Sequence, residues 1–400
     1  MKLLILGFLI TPFLASSNVL FDSSYGTKNN PSELNTLSRN NEKSALKVQE
    51  LLQDDSPFLG LYLRVEGRES LDSDYYDRRV GIDFELFENG YYQSLREMQN
   101  KRQESRLETL QQRNNIQLKQ VDANLHQITL NKNFVKRRLQ RRQTALLYAL
   151  KETQQRQLEN ALITKAQFAE IDLALKQSLL LEEYTSNAKT SAIQENWINW
   201  LNNLENLKLK SVEKMLPNAL ARSTQLKIQD LMIERTENHP GYLDNLKLKV
   251  FYEQRDDSRL NVDKESVIGL QARIPIDFNF SRSQLVNERK ESYKMQKHAV
   301  AVRLQQKLES LSSQFYFKQS SLKHLINKYA LLEEERQQAI QQLQLDLTGL
   351  TYTPEDRLNR LALERVKLQQ ELLILRLDTF AILLHLMHTS HHDEVDSLIG

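Results

Sequence analysis

The sequence predicts a mainly α-helical chain that also contains membrane-length β-strands, arranged as one structural unit used twice. Three observations predict this fold class. Two very long stretches carry an apolar heptad seam, which is typical of coiled coils. Four short segments alternate strictly between apolar and polar residues, as half-buried strands do. The order of strand pair, long helix, turn and return helix occurs in each half of the 400 residues.

The first long helix is predicted from about 91 to 158, where the chain has neither proline nor glycine. Its seam residues are Leu118, Val121, Leu125, Ile128, Val135, Leu139 and Leu146. At 1.5 Å per residue this helix would be roughly 100 Å long, which exceeds an ordinary globular helix. The pattern breaks at 160–164, and a return helix begins near Phe168.

Each repeat carries two predicted strands, at about 58–66 and 79–87 in the first and at about 244–253 and 267–277 in the second. One face of each strand is almost wholly apolar and the other is largely polar. A tilted strand of this length crosses the hydrocarbon core of a bilayer. The apolar face is therefore expected to meet lipid and the polar face to line a wet lumen. The predicted lumen residues are Asp83, Glu85, Lys247, Lys249 and Arg273.

An ordinary soluble sheet packed on a core would show the same alternation. The apolar seams of the helices are narrow, however, and coiled-coil packing uses them up. No broad apolar layer is then left to cover the sheet, and the sequence favours the membrane interpretation.

Five segments are predicted along the chain. The first is a signal peptide, because Lys2 precedes an apolar run and then small residues such as Ala15. The segments are the signal peptide 1–17, an extended leader 18–35, repeat 1 over 36–217, repeat 2 over 218–390 and a C-terminal tail 391–400. Within the repeats we predict a helix hairpin over 91–185, an equatorial segment over 186–217 and a second hairpin over 282–388. Beyond the signal peptide, no stretch is expected to span a membrane as a helix.

The two repeats align at a nearly constant offset. Gly81 matches Gly269, which is 188 residues later, and Phe168 matches Leu358, which is 190 residues later. Such self-similarity indicates an internal duplication. Four strands cannot close a barrel, since bacterial barrels have about eight or more and an open edge cannot lie in lipid. Three chains would supply twelve strands and a twelve-helix tunnel, which is our prediction, and two chains would supply the minimum of eight.

Composition and motifs argue against several classes of protein. The chain has no cysteine, which excludes disulfides, thiolate metal sites and cysteine nucleophiles. A formal net charge of +2 makes no electrostatic case for nucleic acid. The sequence contains no phosphate-binding glycine loop, no HExxH motif and no convincing nucleophile with a base. We therefore expect no enzyme, no cofactor and no resident metal.

Two groups of residues are interpreted as structural. His385, His388, His391 and His392 are taken as part of a polar, frayed C-terminus, although a metal site on one helix face stays open. Trp197 and Trp200 are interpreted as packing residues rather than as a stacking surface for a ligand.

Over about residues 36–390 the order and spacing of these elements resemble the TolC-like outer membrane efflux proteins. The strand-to-helix junctions, Leu86 to Gly90 and Ile274 to Phe278, resemble the junctions of that family in both repeats. Thr348 to Leu358 resembles its second helical tip, and Asn160 to Thr164 is a weaker match to its first tip, lacking the expected glycine. The resemblance implies a homotrimer with a shared twelve-stranded β-barrel and an α-helical periplasmic tunnel.

The resemblance also implies a function. It implies a passive exit duct in the cell outer membrane, in contact with outer-membrane lipid and with a long periplasmic part. Such a duct serves tripartite efflux or type I secretion, exporting substrate from an inner-membrane transporter through a periplasmic adaptor (membrane fusion protein). The residues implied in adaptor contact and aperture closure are Leu162, Ile163, Thr164, Gly349, Leu350, Thr351, Tyr352, Asp356 and Arg357. Asp356 and Arg357 are expected to pair between helices and hold the aperture shut.

Two other classes stay open from the residues alone. A periplasmic adaptor also has a coiled-coil hairpin, but only one, and a soluble periplasmic coiled-coil scaffold would not need four lipid-length strands. The mixed charges of the predicted lumen favour no class of cargo.

Overall fold

The computed structural model describes residues 20–21, 25–27, 57–69, 76–87, 90–237, 246–257, 262–273, 280–344, 354–392 and 394–400. The predicted signal peptide, most of the predicted leader and the second tip at 345–353 lie outside the described residues. The chain divides into two compact units. We call residues 32–118 and 220–304 the strand unit, and residues 1–31, 119–219 and 305–400 the helical unit.

Long helices account for most of the described residues. Their bounds are α1 Tyr91–Glu159, α2 Lys165–Asn187, α3 Glu195–Asn203, α4 Val212–Arg222, α5 Thr224–Glu237, α6 Phe280–Gln344 and α7 Pro354–Thr389. Helices α1 and α6 contain 69 and 65 residues, far above the usual ~11–12. In proteins most of the stability of a helix comes from packing of its apolar face rather than from intrinsic propensity. Ile128, Val135 and Leu139 of the predicted seam are indeed buried.

The strand unit contains a four-stranded antiparallel sheet, as predicted. The strands are β2 Leu61–Glu69, β3 Tyr76–Glu85, β5 Lys247–Asp257 and β6 Val262–Arg273, in the order β2-β3-β5-β6. Two hairpins, one from each repeat, thus lie side by side and are joined by the β3–β5 ladder. The strands extend beyond the alternating segments into residues such as Asp77 and Arg78, because a ladder of backbone hydrogen bonds does not require apolar side chains.

Helix α7 is the core helix of the helical unit. Leu372, Leu377, Phe380 and Leu383 are all fully buried. Residues 357–389 are long and apolar enough to cross a membrane, but 56% of the most apolar window is buried inside the protein. The expectation that no stretch of this kind follows the signal peptide is therefore wrong by length and composition. The apolar character has a structural cause, since more than half of this stretch is buried, with contacts such as that between Phe380 and Trp197.

The equatorial segment, residues 186–217, packs against α7. Trp197 on α3 is buried, and its ring centroid lies 5.2 Å from that of Phe380, which agrees with a packing role. The short strand β1, Gly26–Thr27, pairs in parallel with β4, Ile193–Gln194. The side chain of Asn202 forms two hydrogen bonds with the backbone of Phe21. Its Oδ1 accepts from the Phe21 N–H at 2.8 Å, and its Nδ2 donates to the Phe21 carbonyl at 3.0 Å.

The C-terminal residues are packed rather than frayed, which corrects the interpretation from the sequence. Leu398 is fully buried. The Lys210 N–H donates to the Leu398 carbonyl at 2.8 Å, and the Gly400 N–H donates to the Lys208 carbonyl at 2.9 Å.

Desolvation by burial lowers the pKa of His388, whose Nε2 lies 3.2 Å from the Asn124 amide. Within the described residues no group of three metal-ligating side chains is assembled.

Candidate functional site

One face of the four-stranded sheet is apolar and uncovered. Alternation along the strands and the observed register bring the large apolar side chains of all four strands to the same face. Nine of them are between 37% and 79% exposed: Leu61, Leu63, Val65, Val80, Ile82, Val250, Tyr252, Ile268 and Leu270. A contiguous apolar patch this large is rare on soluble monomers and marks a surface that contacts lipid or another protein.

The opposite face carries charged side chains that are joined in a network. Arg64 on β2 pairs with Glu253 on β5 and lies 3.8 Å from Asp83 on β3. Lys249 Nζ lies 2.5 Å from Asp83 Oδ2, the same oxygen that Arg64 approaches. Asp83 and Glu253 are only 5% and 2% exposed. Since an unpaired buried carboxylate is strongly destabilising, these cations hold the charges of β3 and β5 in place.

All five predicted lumen residues lie on this charged face by register. Asp83 and Lys249 are in direct contact. Glu85 is opposite Lys249, and Lys247 is opposite Arg273, in the cross-strand pairing. The predicted set omitted Arg64 and Glu253, which bind each other across the sheet. The alternation of Arg64 and Glu253 with apolar neighbours indicates that both lie on the charged face. Their pairing with each other depends on the register of the strands, which the sequence does not show.

The first hairpin tip is a Schellman turn built without glycine. The Leu162 N–H donates to the Gln157 carbonyl at 2.8 Å, and the Ala161 N–H donates to the Leu158 carbonyl at 3.0 Å. This motif requires a left-handed residue, and Ala161 occupies that position with φ of 54°. Thr164 then caps α2 in a capping box with Gln167. Leu162 is left 67% exposed at the tip.

We expect Ala161→Gly to stabilise the helical unit by about 1 kcal/mol, because a side chain in the left-handed region costs ~1–2 kcal/mol and the flexibility that glycine adds to the unfolded chain offsets part of that gain. Urea unfolding monitored by circular dichroism at fixed protein concentration measures the change. Ala166→Gly, inside the exposed first turn of α2, is the control and should destabilise. Equal destabilisation by both substitutions would contradict the strain at Ala161.

The second tip is described only on its α7 side. Gly349, Leu350, Thr351 and Tyr352 and the side chain of Asp356 lie outside the described residues. Arg357 Nη1 donates to the side-chain oxygen of Gln342 on α6 at 3.0 Å. Arg357 therefore joins α6 to α7, through a glutamine of the other helix. About two turns further from the tip, Arg365 lies 3.0 Å from Glu333 and 2.8 Å from the Tyr329 hydroxyl.

The first hairpin has an ion pair of its own. Asp172 on α2 lies 2.5 Å from Lys151 Nζ on α1 and 2.8 Å from Lys176 Nζ on its own helix. Hydrogen bonds from Lys151 and then from Lys176 lower the pKa of Asp172 from 3.8 to about 2. Because the depressed pKa belongs to the folded state, this pair stabilises the hairpin above pH 3.8, and the contribution is lost as the pH falls toward about 2.

Asp172→Asn should therefore lower the stability of the helical unit near neutral pH and have little effect near pH 2. Denaturant midpoints of wild type and variant, measured from pH 7 to pH 2, should converge through the window between 3.8 and about 2. Asp230→Asn is a suitable control: that carboxylate also pairs with a lysine, Lys297, but in the strand unit. A difference between wild type and Asp172→Asn that persists unchanged at pH 2 would contradict the assignment.

The fold is similar to that of several solved membrane-protein structures. No protein-family model matches the sequence, and no curated protein matches it. Solved structures do match. The outer membrane protein VceC from Vibrio cholerae is 12% identical with a TM-score of 0.55, over 90% of this chain and 93% of that chain. A membrane protein from Pseudomonas aeruginosa is 11% identical with a TM-score of 0.53, over 90% and 87%.

CusC, solved in a study of folding and transmembrane channel formation, is 11% identical with a TM-score of 0.52, over 90% of this chain and 89% of that chain. These similarities confirm the resemblance to the TolC-like family at the level of the fold. The chain therefore shares the fold of these solved structures, and its sheet has one apolar and one charged face.

Proposed function

We propose that this chain is one subunit of a passive exit duct that crosses the outer membrane and the periplasm. The observation that carries the proposal is the two-faced sheet: nine exposed apolar side chains on one face and a paired charge network on the other. Lipid is the solvent in which such a face is stable. The fold similarity to VceC and CusC supports the same assignment.

The duct is a homotrimer with a twelve-stranded barrel. Strands β2 and β6 are the edges of the described sheet, and an unpaired edge cannot persist in hydrocarbon. Pairing β6 of one copy with β2 of the next satisfies both edges. Three copies of four strands give twelve, and the paired long helices of the three copies form the periplasmic tunnel. Asp83, Glu85, Lys247, Lys249 and Arg273 then line the barrel lumen.

The hairpin tips contact a periplasmic adaptor and close the aperture. On the first tip the contact residues are Leu162, Ile163 and Thr164, of which Leu162 is strongly exposed. On the second tip they are Gly349, Leu350, Thr351 and Tyr352, with Asp356 and Arg357 holding the helix pair. The contact between Arg357 and Gln342 supports this role. Unchanged conductance and drug sensitivity in Arg357→Ala and Asp356→Ala variants would contradict it.

The duct has no enzymatic function and serves tripartite efflux or type I secretion, receiving substrate from an inner-membrane transporter. A signal peptide over 1–17 directs its export. Membrane fractionation with chemical cross-linking tests the central claim. We expect the protein in the outer-membrane fraction, with cross-linked bands up to a trimer, and defined conductance in planar bilayers. Amino-terminal sequencing of the mature protein tests the signal peptide separately.

A periplasmic adaptor or coiled-coil scaffold is the alternative function. Either would be recovered from the periplasm without detergent and would show no conductance. The exposed apolar face of the sheet argues against both, since it would then face water.

A further inference from the structure

An open cavity lies within the strand unit, beside the start of α1 and on the charged face of the sheet. Its volume is about 490 Å³, within the range of ~300–1,000 Å³ that small-molecule sites occupy. Its lining includes Phe58, Tyr62, Glu85, Gln93, Ser94 and Glu97. We propose that this cavity binds an organic cation, of the alkylammonium class, between two aromatic rings and two carboxylates.

The two rings are brought together by a bend in the chain. Residues four apart on a regular strand are separated by about 13 Å, yet the ring centroids of Phe58 and Tyr62 are 5.4 Å apart and nearly perpendicular. Gly60 between them has a φ of +76°, which bends the chain there. Both rings stay partly exposed. An ammonium group that contacts an aromatic face is attracted by the negative charge of that face, and the attraction is stronger where water is excluded.

Two carboxylates supply the opposite charge. Glu85 comes from the end of β3 and Glu97 from the second turn of α1, and the cavity's described lining contains no lysine or arginine. Lys249 is opposite Glu85 in the sheet register, but its ammonium pairs with Asp83 at 2.5 Å. Glu97 accepts a hydrogen bond from the neutral amide of Gln93 at 2.9 Å. A cationic ligand would complement both charges.

The cavity is held open by its backbone. The Glu85 N–H donates to the Gly60 carbonyl at 2.8 Å. A Cβ at Gly60 or at Gly90 would lie only 2.2 Å or 1.9 Å from the Glu85 carbonyl oxygen, so only glycine permits this close approach. The Phe58 N–H donates to the Ser94 hydroxyl at 2.7 Å and ties the aromatic pair to α1. Preorganisation of this kind lowers the entropic cost of binding.

A cation fits this cavity better than an anion does. The amino end of α1 favours anions, but that effect falls off within the first turn and amounts to a fraction of a charge. Two full negative charges from Glu85 and Glu97 outweigh it. The inference needs only a folded strand unit, and it holds or fails independently of the proposed duct.

The test is a titration of the purified full-length protein in detergent with tetraethylammonium chloride, followed by saturation-transfer NMR. We expect saturable binding in the wild type. Glu85→Gln and Glu97→Gln should each weaken binding roughly 5-fold, which corresponds to about 1 kcal/mol for a partly exposed ion pair. Phe58→Leu should weaken it by a similar factor through loss of the ring, whereas Phe58→Tyr should bind like the wild type.

Glu108→Gln is the matched control. Glu108 is an exposed carboxylate on the same helix, and eleven residues beyond Glu97 it returns to nearly the same helix face, roughly 16 Å away. It should leave binding unchanged. Circular dichroism confirms that each variant is folded. Two outcomes overturn the proposal: equal binding by wild type and the Glu85→Gln/Glu97→Gln double variant, or displacement of tetraethylammonium by inorganic phosphate.

Discussion

Replacing Ile268 with arginine is expected to abolish stable assembly in the outer membrane. Ile268 lies in the middle of β6, opposite Tyr252, and its side chain is 79% exposed on the apolar face. In lipid, an arginine at the bilayer midplane of a barrel costs ~2–4 kcal/mol. The proposed trimer would carry the substitution three times. The readout is the fraction of protein recovered as cross-linked trimer from outer membranes, with the urea midpoint in micelles as a second measure.

Val267→Arg is the matched control for this prediction. Val267 is the adjacent residue, also β-branched and apolar, but it lies on the charged face, opposite Glu253. In the proposed duct an arginine there would face the lumen and the Glu253 carboxylate, so we expect near wild-type assembly. If Ile268→Arg and Val267→Arg assemble equally well, the apolar face does not meet lipid. If both fail, the sheet itself does not tolerate arginine, and the idea that the two faces meet different surroundings is contradicted.

Replacing Arg376 with alanine is expected to destabilise the helical unit by about 3–5 kcal/mol, the usual effect of breaking a buried ion pair. Arg376 lies on α7 with its side chain fully buried. Its guanidinium donates to the Leu201 carbonyl at 2.5 Å and to Glu205 at 3.1 Å and 3.4 Å. Desolvation lowers the pKa of Arg376, with Glu205 opposing the shift. Without the cation, Glu205 and the Leu201 carbonyl lose their partner.

The double variant Arg376→Met/Glu205→Leu tests whether the stability lost in Arg376→Ala comes from an unpaired buried charge. An apolar pair of similar size removes both buried charges, and such replacements are often neutral or stabilising. We therefore expect the double variant to recover most of the stability lost by Arg376→Ala. Urea unfolding at constant protomer concentration measures both, because oligomer stability depends on concentration. A double variant as unstable as the single one would show that the site needs the guanidinium itself, since methionine fills the volume of the arginine stem but leaves the Leu201 carbonyl without its donor.

The periodicity of the sequence was sufficient for the elements of the fold. The seam residues Val135 and Leu139 predicted α1 and are buried in it. Strict alternation predicted all four strands and the placement of Asp83 and Lys249 on one face. These properties depend on near neighbours in the chain, through the 3.6-residue and two-residue repeats of helix and strand.

The misjudged features all depend on distant residues. The polar histidines predict a frayed C-terminus, but Leu398 is buried and its carbonyl accepts from the Lys210 N–H, 188 positions earlier in the chain. The leucines of α7 were not recognised as a membrane-length stretch, and their burial follows from the helices around them. Glu253 was missed as a partner of Arg64 because their contact spans 189 positions.

By itself, the sequence determined which residues form helices, which form strands and which face of each strand is apolar, because these are properties of local backbone geometry. Only the tertiary structure decided the order of the strands, the pairing of Arg64 with Glu253 and the closeness of Phe58 to Tyr62. It also showed that the apolar face of the sheet is left exposed. Register and side-chain contact depend on how distant segments dock, and a local pattern carries no information about that.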